Sequence, residues 1–115
     1  MNVCVVGTGY VGLVSGVCLA AKGHNVTCVD IDHEIVGKLN SGMPTIYEKG
    51  LPELLKEVLH KGVFSATNSL EKALKKADLV IVAVGTPSVN GVIDLTYIEN
   101  VCKEIGQYIS SDYRN

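Results

Sequence analysis

The hexapeptide Gly7-Thr8-Gly9-Tyr10-Val11-Gly12 stands between a β-branched apolar run and an apolar stretch with helical spacing. No other feature constrains the fold as tightly. Residues 2–6 (Asn-Val-Cys-Val-Val) read as a strand buried on both faces. From Tyr10 to Lys22 the apolar residues Val11, Val14, Cys18 and Ala21 recur at helical spacing, and Lys22-Gly23 supplies a cationic last turn and a terminating glycine. A strand that passes through G-x-G-x-x-G into a helix opens a nucleotide-binding α/β unit. Gly7 permits the tight turn, Gly9 lets the backbone approach a pyrophosphate with no Cβ in the way, and Gly12 lets the helix pack close to the sheet. The N–H groups of Tyr10 and Val11 are then unpaired donors at the positive end of the helix dipole.

The remaining chain repeats the alternation. Residues 25–30 form a second strand, and Asp32 caps a helix carrying Ile35, Val36 and Leu39 that stops at Ser41-Gly42. After a loop from Met43 to Gly50, a helix with Pro52 in its first turn carries the stripe Leu51, Leu54, Leu55, Val58 and Leu59, and Gly62 ends it. Residues 63–67 read as a third strand, Asn68 with Glu71 as a capping box for a helix through Ala77, and residues 78–84 as the clearest buried strand. Asp94 caps a last helix with Leu95, Ile98, Val101, Cys102, Ile105 and Ile109 on its stripe.

Strands alternating with helices imply right-handed parallel crossovers, and so an α/β fold: a Rossmann-type doubly wound sheet, truncated to about four strands in the order 3-2-1-4. A full sheet of this type carries about six strands. Residues 1–115 are therefore expected to be an N-terminal fragment of a larger protein, with strand 78–84 at an open edge.

Asp30 ends the second strand 18 residues after Gly12, close to the spacing of about 20 at which an acid binds the adenosine ribose. A carboxylate there accepts hydrogen bonds from the ribose hydroxyls and repels a 2′-phosphate. No Arg or Lys lies between Asp30 and Val36 to receive that phosphate, so NAD is favoured over NADP. The loop Gly85-Thr86-Pro87 leaves the fourth strand at its carboxyl end, on the ligand-binding side of such a sheet, with Thr86 offering a hydroxyl and Asn90-Gly91 a turn.

Other chemistries are disfavoured. Ten Lys+Arg against 12 Asp+Glu, with no basic run longer than Lys75-Lys76, give no electrostatic footprint for nucleic acid or an anionic membrane. Cys4, Cys18, Cys28 and Cys102 match no zinc or redox spacing and read as small buried hydrophobes of a reducing compartment, hence a cytoplasmic protein. His24, His33 and His60 read as surface residues, so no metal is expected. Residues 3–21 carry no charge, but four glycines interrupt them and no basic segment precedes them, which argues against a signal peptide or a membrane span.

The segments Gly7 to Gly12, Val29-Asp30-Ile31-Asp32, Tyr47-Glu48-Lys49-Gly50-Leu51 and Val84-Gly85-Thr86-Pro87-Ser88 occur here in one order. In this the chain resembles the N-terminal NAD-binding domain of the UDP-glucose/GDP-mannose dehydrogenase family, from Met1 to about Gly106. The resemblance implies an oxidoreductase that converts the primary alcohol of a nucleotide sugar, UDP-glucose first, to a carboxylate. Two hydrides pass to two NAD through a cysteine thioester, and the product feeds surface polysaccharide. It also implies that the backbone of Gly9, Tyr10, Val11 and Gly12 holds the pyrophosphate, that Asp30 holds the ribose, and that Thr86 lies near the nicotinamide half. Two positions depart from the family: Ile35 where many members carry a basic residue, and Lys49 where proline is usual. The nucleophilic cysteine and the sugar-nucleotide domain of the family lie beyond residue 115, so no catalytic residue is expected in this chain, and the chain alone is expected to be inactive.

Several readings stay open at this point. The sugar nucleotide could be GDP-mannose or a UDP-N-acetyl-hexosamine. A 3-hydroxyacyl-CoA or 6-phosphogluconate type of dehydrogenase fits less well, because of segments 47–51 and 85–88. The non-enzymatic alternative is a free-standing NAD-binding module. Against it, the run Leu79-Val80-Ile81-Val82-Ala83-Val84 lacks the charge or proline that protects an evolved sheet edge, and this predicts self-association.

Overall fold

The computed structural model describes residues 1–46, 48–83, 88–89, 92–93, 99, 102–103 and 105–107. The chain divides into two compact units, Met1–Ala83 and Val84–Asn115. The first is built from β1 (Asn2–Val6), α1 (Tyr10–Ala21), β2 (Asn25–Val29), α2 (His33–Asn40), α3 (Leu51–His60), β3 (Phe64–Thr67), α4 (Leu70–Lys75) and β4 (Leu79–Val82). The second contains the antiparallel pair β5 (Ser88–Val89) and β6 (Val92–Ile93), strands that the sequence did not announce. Gly85, Thr86, Pro87 and most of the helix expected after Asp94 lie outside the described residues.

The four long strands form one parallel sheet in the order β3-β2-β1-β4, as expected from the alternation. Val3 pairs with Val26 and Val26 with Phe64, while Val5 pairs with Cys28 and Cys28 with Ala66. These six side chains share one face, since alternate residues of a strand point the same way. They pack with Leu13, Val17 and Ala20 of α1 and with Leu51, Leu55 and Val58 of α3 in a single core. α4 lies between β3 and β4 in the chain and crosses the opposite face, where Ala73 and Leu74 are buried.

Helix ends follow local chemistry. The Asp32 carboxylate accepts the Glu34 N–H at 2.9 Å, as expected of a cap for α2. At the other end Gly42, at φ +86°, lets its own N–H reach the Leu39 carbonyl and the Met43 N–H reach that of Lys38. The same pair of bonds, past Gly23 and Gly62, ends α1 and α3.

Several expectations are corrected. α1 buries Gly12, Leu13, Gly16, Val17 and Ala20, whereas Val11, Cys18 and Ala21 of the expected stripe are exposed. Apolar residues surround this helix, so periodicity cannot choose its inner face; the glycines choose it. A Cβ on Gly16 would lie 2.9 Å from Cys28 Sγ, so only the glycine side of α1 can approach β2 this closely. Cys18 is thus exposed, and so is Cys102, while Cys4 and Cys28 are buried. Ser69, not Asn68, caps α4, its hydroxyl accepting the Lys72 N–H, while the Asn68 amide contacts the His33 ring. His24 is half-buried, not a surface residue, and its Nδ1 finds no partner among the described residues.

Candidate nucleotide-binding site

The carboxyl ends of β1, β2 and β4 converge. The Gly7 N–H donates to the Val29 carbonyl at 2.8 Å and the Ala83 N–H to the Val6 carbonyl at 2.8 Å, so the turn after β1 is held from both sides. Gly7 makes that turn at φ +105°, which L-side chains rarely adopt. Gly12 lies against it, and a Cβ there would fall 2.2 Å from the Gly7 carbonyl oxygen.

Gly9 behaves differently. It is the N-cap of α1 in an extended conformation, and a Cβ placed on it meets nothing within 4 Å. No side chain caps α1, and its first turn has no acidic residue. The first-turn N–H donors of α1, with the positive end of its dipole, therefore look into an open space floored by a residue without a side chain. An open, uncapped helix start has the sign that attracts an anion.

Asp30 follows directly on β2 and is half-buried. Its Oδ2 accepts from the Thr8 hydroxyl, and its Oδ1 accepts the Asp32 N–H at 2.9 Å. The structure thus links the acid to the glycine turn through Thr8, which sequence reasoning passed over as the variable position of the motif. Tyr10, Val11 and Ile31 are each more than half exposed beside these elements. The Tyr10 hydroxyl reaches across to donate to Glu48 Oε2 at 2.9 Å, a contact no local pattern could signal. That hydrogen bond, and secondarily the Glu48 charge, hold the tyrosine's pKa above its ordinary value of 10.0.

The buried thiols are chemically quiet. Burial pushes Cys4 up to about 11, and burial with the influence of Cys4 pushes Cys28 up to about 12. Among the described residues no group of three His, Cys, Asp or Glu side chains could hold a metal, and no helix is long and apolar enough to cross a membrane. A cleft of about 290 Å³ opens at the amino ends of β1, β2 and β3, lined by Asn2, Thr27, Ser65, Ala73 and Lys76 among others. It is at the opposite end of the strands from Gly7 and Asp30, so it is separate from the convergence just described.

The family model for the UDP-glucose/GDP-mannose dehydrogenase family, NAD binding domain, matches residues 1–113. The chain belongs to this family. It is 42% identical over 113 residues to a UDP-glucose 6-dehydrogenase of Bacillus subtilis (strain 168), covering 97% of this chain and 26% of that protein. A GDP-mannose 6-dehydrogenase of Pseudomonas syringae pv. tomato is 43% identical over the same shares. Among solved structures, a ternary complex of GDP-mannose dehydrogenase from Pseudomonas aeruginosa superposes with a TM-score of 0.90 at 41% identity, over 95% of this chain and 25% of that one. The chain thus spans about a quarter of the length of the UDP-glucose/GDP-mannose dehydrogenase relatives it matches. It is a Rossmann-type NAD-binding domain of nucleotide-sugar dehydrogenases, and NAD is the cofactor of its family.

Proposed function

We propose that this chain is the NAD-binding part, residues 1–115, of a dehydrogenase that oxidises UDP-glucose to UDP-glucuronate, with the catalytic and sugar-nucleotide portions elsewhere in the protein. NAD would supply the hydride acceptor, two per sugar, and the product would feed polysaccharide synthesis. The observation that carries the reading is the coincidence, at the carboxyl ends of β1 and β2, of an uncapped helix start with open space at Gly9 and a carboxylate fixed at Asp30.

In this reading Gly7 shapes the turn, the backbone of Gly9, Tyr10, Val11 and Gly12 binds the pyrophosphate, and Asp30 binds the ribose diol. Exposed Ile31 offers the adenine an apolar surface. The segment Gly85-Thr86-Pro87 is assigned to the nicotinamide side on sequence alone. No residue of the chain is assigned a catalytic role, and no metal, nucleic acid or membrane enters the reading. Free thiols at all four cysteines suit the cytoplasm. GDP-mannose oxidation is the second reading, favoured by the 43% identity to the Pseudomonas enzyme.

Isothermal titration tests the cofactor assignment. The chain should bind NAD in preference to NADP and lose that preference in Asp30→Ala, while mixing it with UDP-glucose and NAD should generate no NADH. Absence of NAD binding would remove the reading; NADH formation would place catalytic residues within these 115 positions.

A further inference from the structure

Thr8 is the buried polar residue of the sheet's carboxyl edge, 5% exposed, and its hydroxyl donates to Asp30 Oδ2. The other carboxylate oxygen is held at 2.9 Å by the Asp32 N–H, from the residue that caps α2. Two donors from two different segments therefore grip the two oxygens of one side chain. A carboxylate oxygen accepts about two hydrogen bonds, so each still has room for a ligand hydroxyl. An acid at a strand end with neither donor would be free to turn about its two side-chain torsions, and a ligand would have to order it on binding.

We infer that Thr8 is a positioning residue that fixes the Asp30 carboxylate for a vicinal diol, and that it thereby sharpens discrimination between NAD and NADP. The inference rests on the assignment of Asp30 to the ribose. It adds a mechanical link: Thr8 stands inside the glycine turn, so the phosphate cradle and the ribose acid keep one mutual register before any ligand arrives. A carboxylate locked in that register also presents its charge at a fixed place to a 2′-phosphate, which it repels.

Thr8→Val keeps the branched shape and removes the donor, and Thr8→Ser keeps the donor. Titrated with NAD and with NADP, Thr8→Val should bind NAD about five- to tenfold more weakly, less than the full worth of a hydrogen bond to a charged group because Thr8 acts on the ligand only through Asp30. Its NADP affinity should not fall, so the ratio narrows, and Thr8→Ser should restore it. In the cofactor-free chain, exchange of the Asp32 amide should accelerate in Thr8→Val and not in Thr8→Ser. The Val36 amide, bonded to the Asp32 carbonyl inside α2, should stay unchanged as a control for folding. A Thr8→Val chain with the wild-type cofactor ratio overturns the inference, and so does an unaltered Asp32 exchange rate. If the wild-type chain bound no NAD, the ribose assignment would fail by itself, and the exchange comparison would still decide whether Thr8 fixes Asp30.

Discussion

Gly9 and Gly12 belong to one motif, yet a methyl group added to each meets opposite surroundings. At Gly12 it would stand 2.2 Å from the Gly7 carbonyl oxygen and 3.3 Å from Ala83 Cβ, so α1 would have to lift from the sheet. At Gly9 it meets nothing within 4 Å and the backbone is already extended, with φ −72°. The two glycines therefore separate fold from function. Gly12→Ala should lower stability by about 3 kcal/mol or more, at the upper end for forced overpacking. Gly9→Ala should cost no more than about 1 kcal/mol, the difference between a fair and a poor N-cap. It should nevertheless weaken NAD at least tenfold, about 1.4 kcal/mol, by filling the space in front of the helix. Urea denaturation and calorimetric titration of both variants check the pair of effects. A Gly9→Ala chain that binds NAD normally would mean that the open space is not the phosphate cradle. Residue-level legibility divides along the same line. The places of Gly7, Gly12 and Asp30 announce themselves because they depend on backbone geometry or on a strand end. Thr8 and Glu48 do not, because their partners, Asp30 and Tyr10, are 22 and 38 residues away.

At the scale of elements, the strands and helices of Met1–Ala83 were readable because most apolar runs there stop at a glycine, a turn residue or a capping acid, whereas the two-residue strands β5 and β6 are too short to leave a pattern. Strand order followed from the handedness of the crossovers. What was not readable was orientation. α1 is apolar almost all round, so a 3.6-residue period fits more than one face, and the burial of Gly12 and Gly16 against the turn and Cys28 decides among them. The start of α4 offered a similar ambiguity, since Asn68 and Ser69 are both good caps and only the observed bond to Lys72 selects the serine. The corrected face of α1 makes a direct prediction. Leu13→Ala, at a fully buried position, should destabilise by about 2–5 kcal/mol. Cys18→Ser, on the exposed side, should shift stability by no more than about 0.5 kcal/mol. Equal losses in a denaturation series would return Cys18 to the core and reverse the face assignment.

For the whole molecule, the decisive feature is the flank of the sheet at β4. Leu79 is 44% exposed and Val82 39%, although the run from Leu79 to Val82 contains only aliphatic residues. Among the described residues β4 pairs with β1 alone. An all-aliphatic strand whose outer row of N–H and C=O groups has no strand partner among the described residues is a template for another strand, with no charge or proline in it to discourage pairing. A second copy of the chain presents the same edge, so the 115-residue chain should associate with itself, its weight-average mass in sedimentation rising with concentration. Leu79→Lys places a charge at the amino end of β4, opposite the end that carries Ala83 and the glycine turn. It should therefore shift the chain toward monomer while leaving NAD affinity unchanged. The pairing of these outcomes matters, because a charge that merely unfolded the domain would abolish both. A wild-type chain that stays monomeric at high concentration would show that the β4 edge is not a docking surface for its own copies.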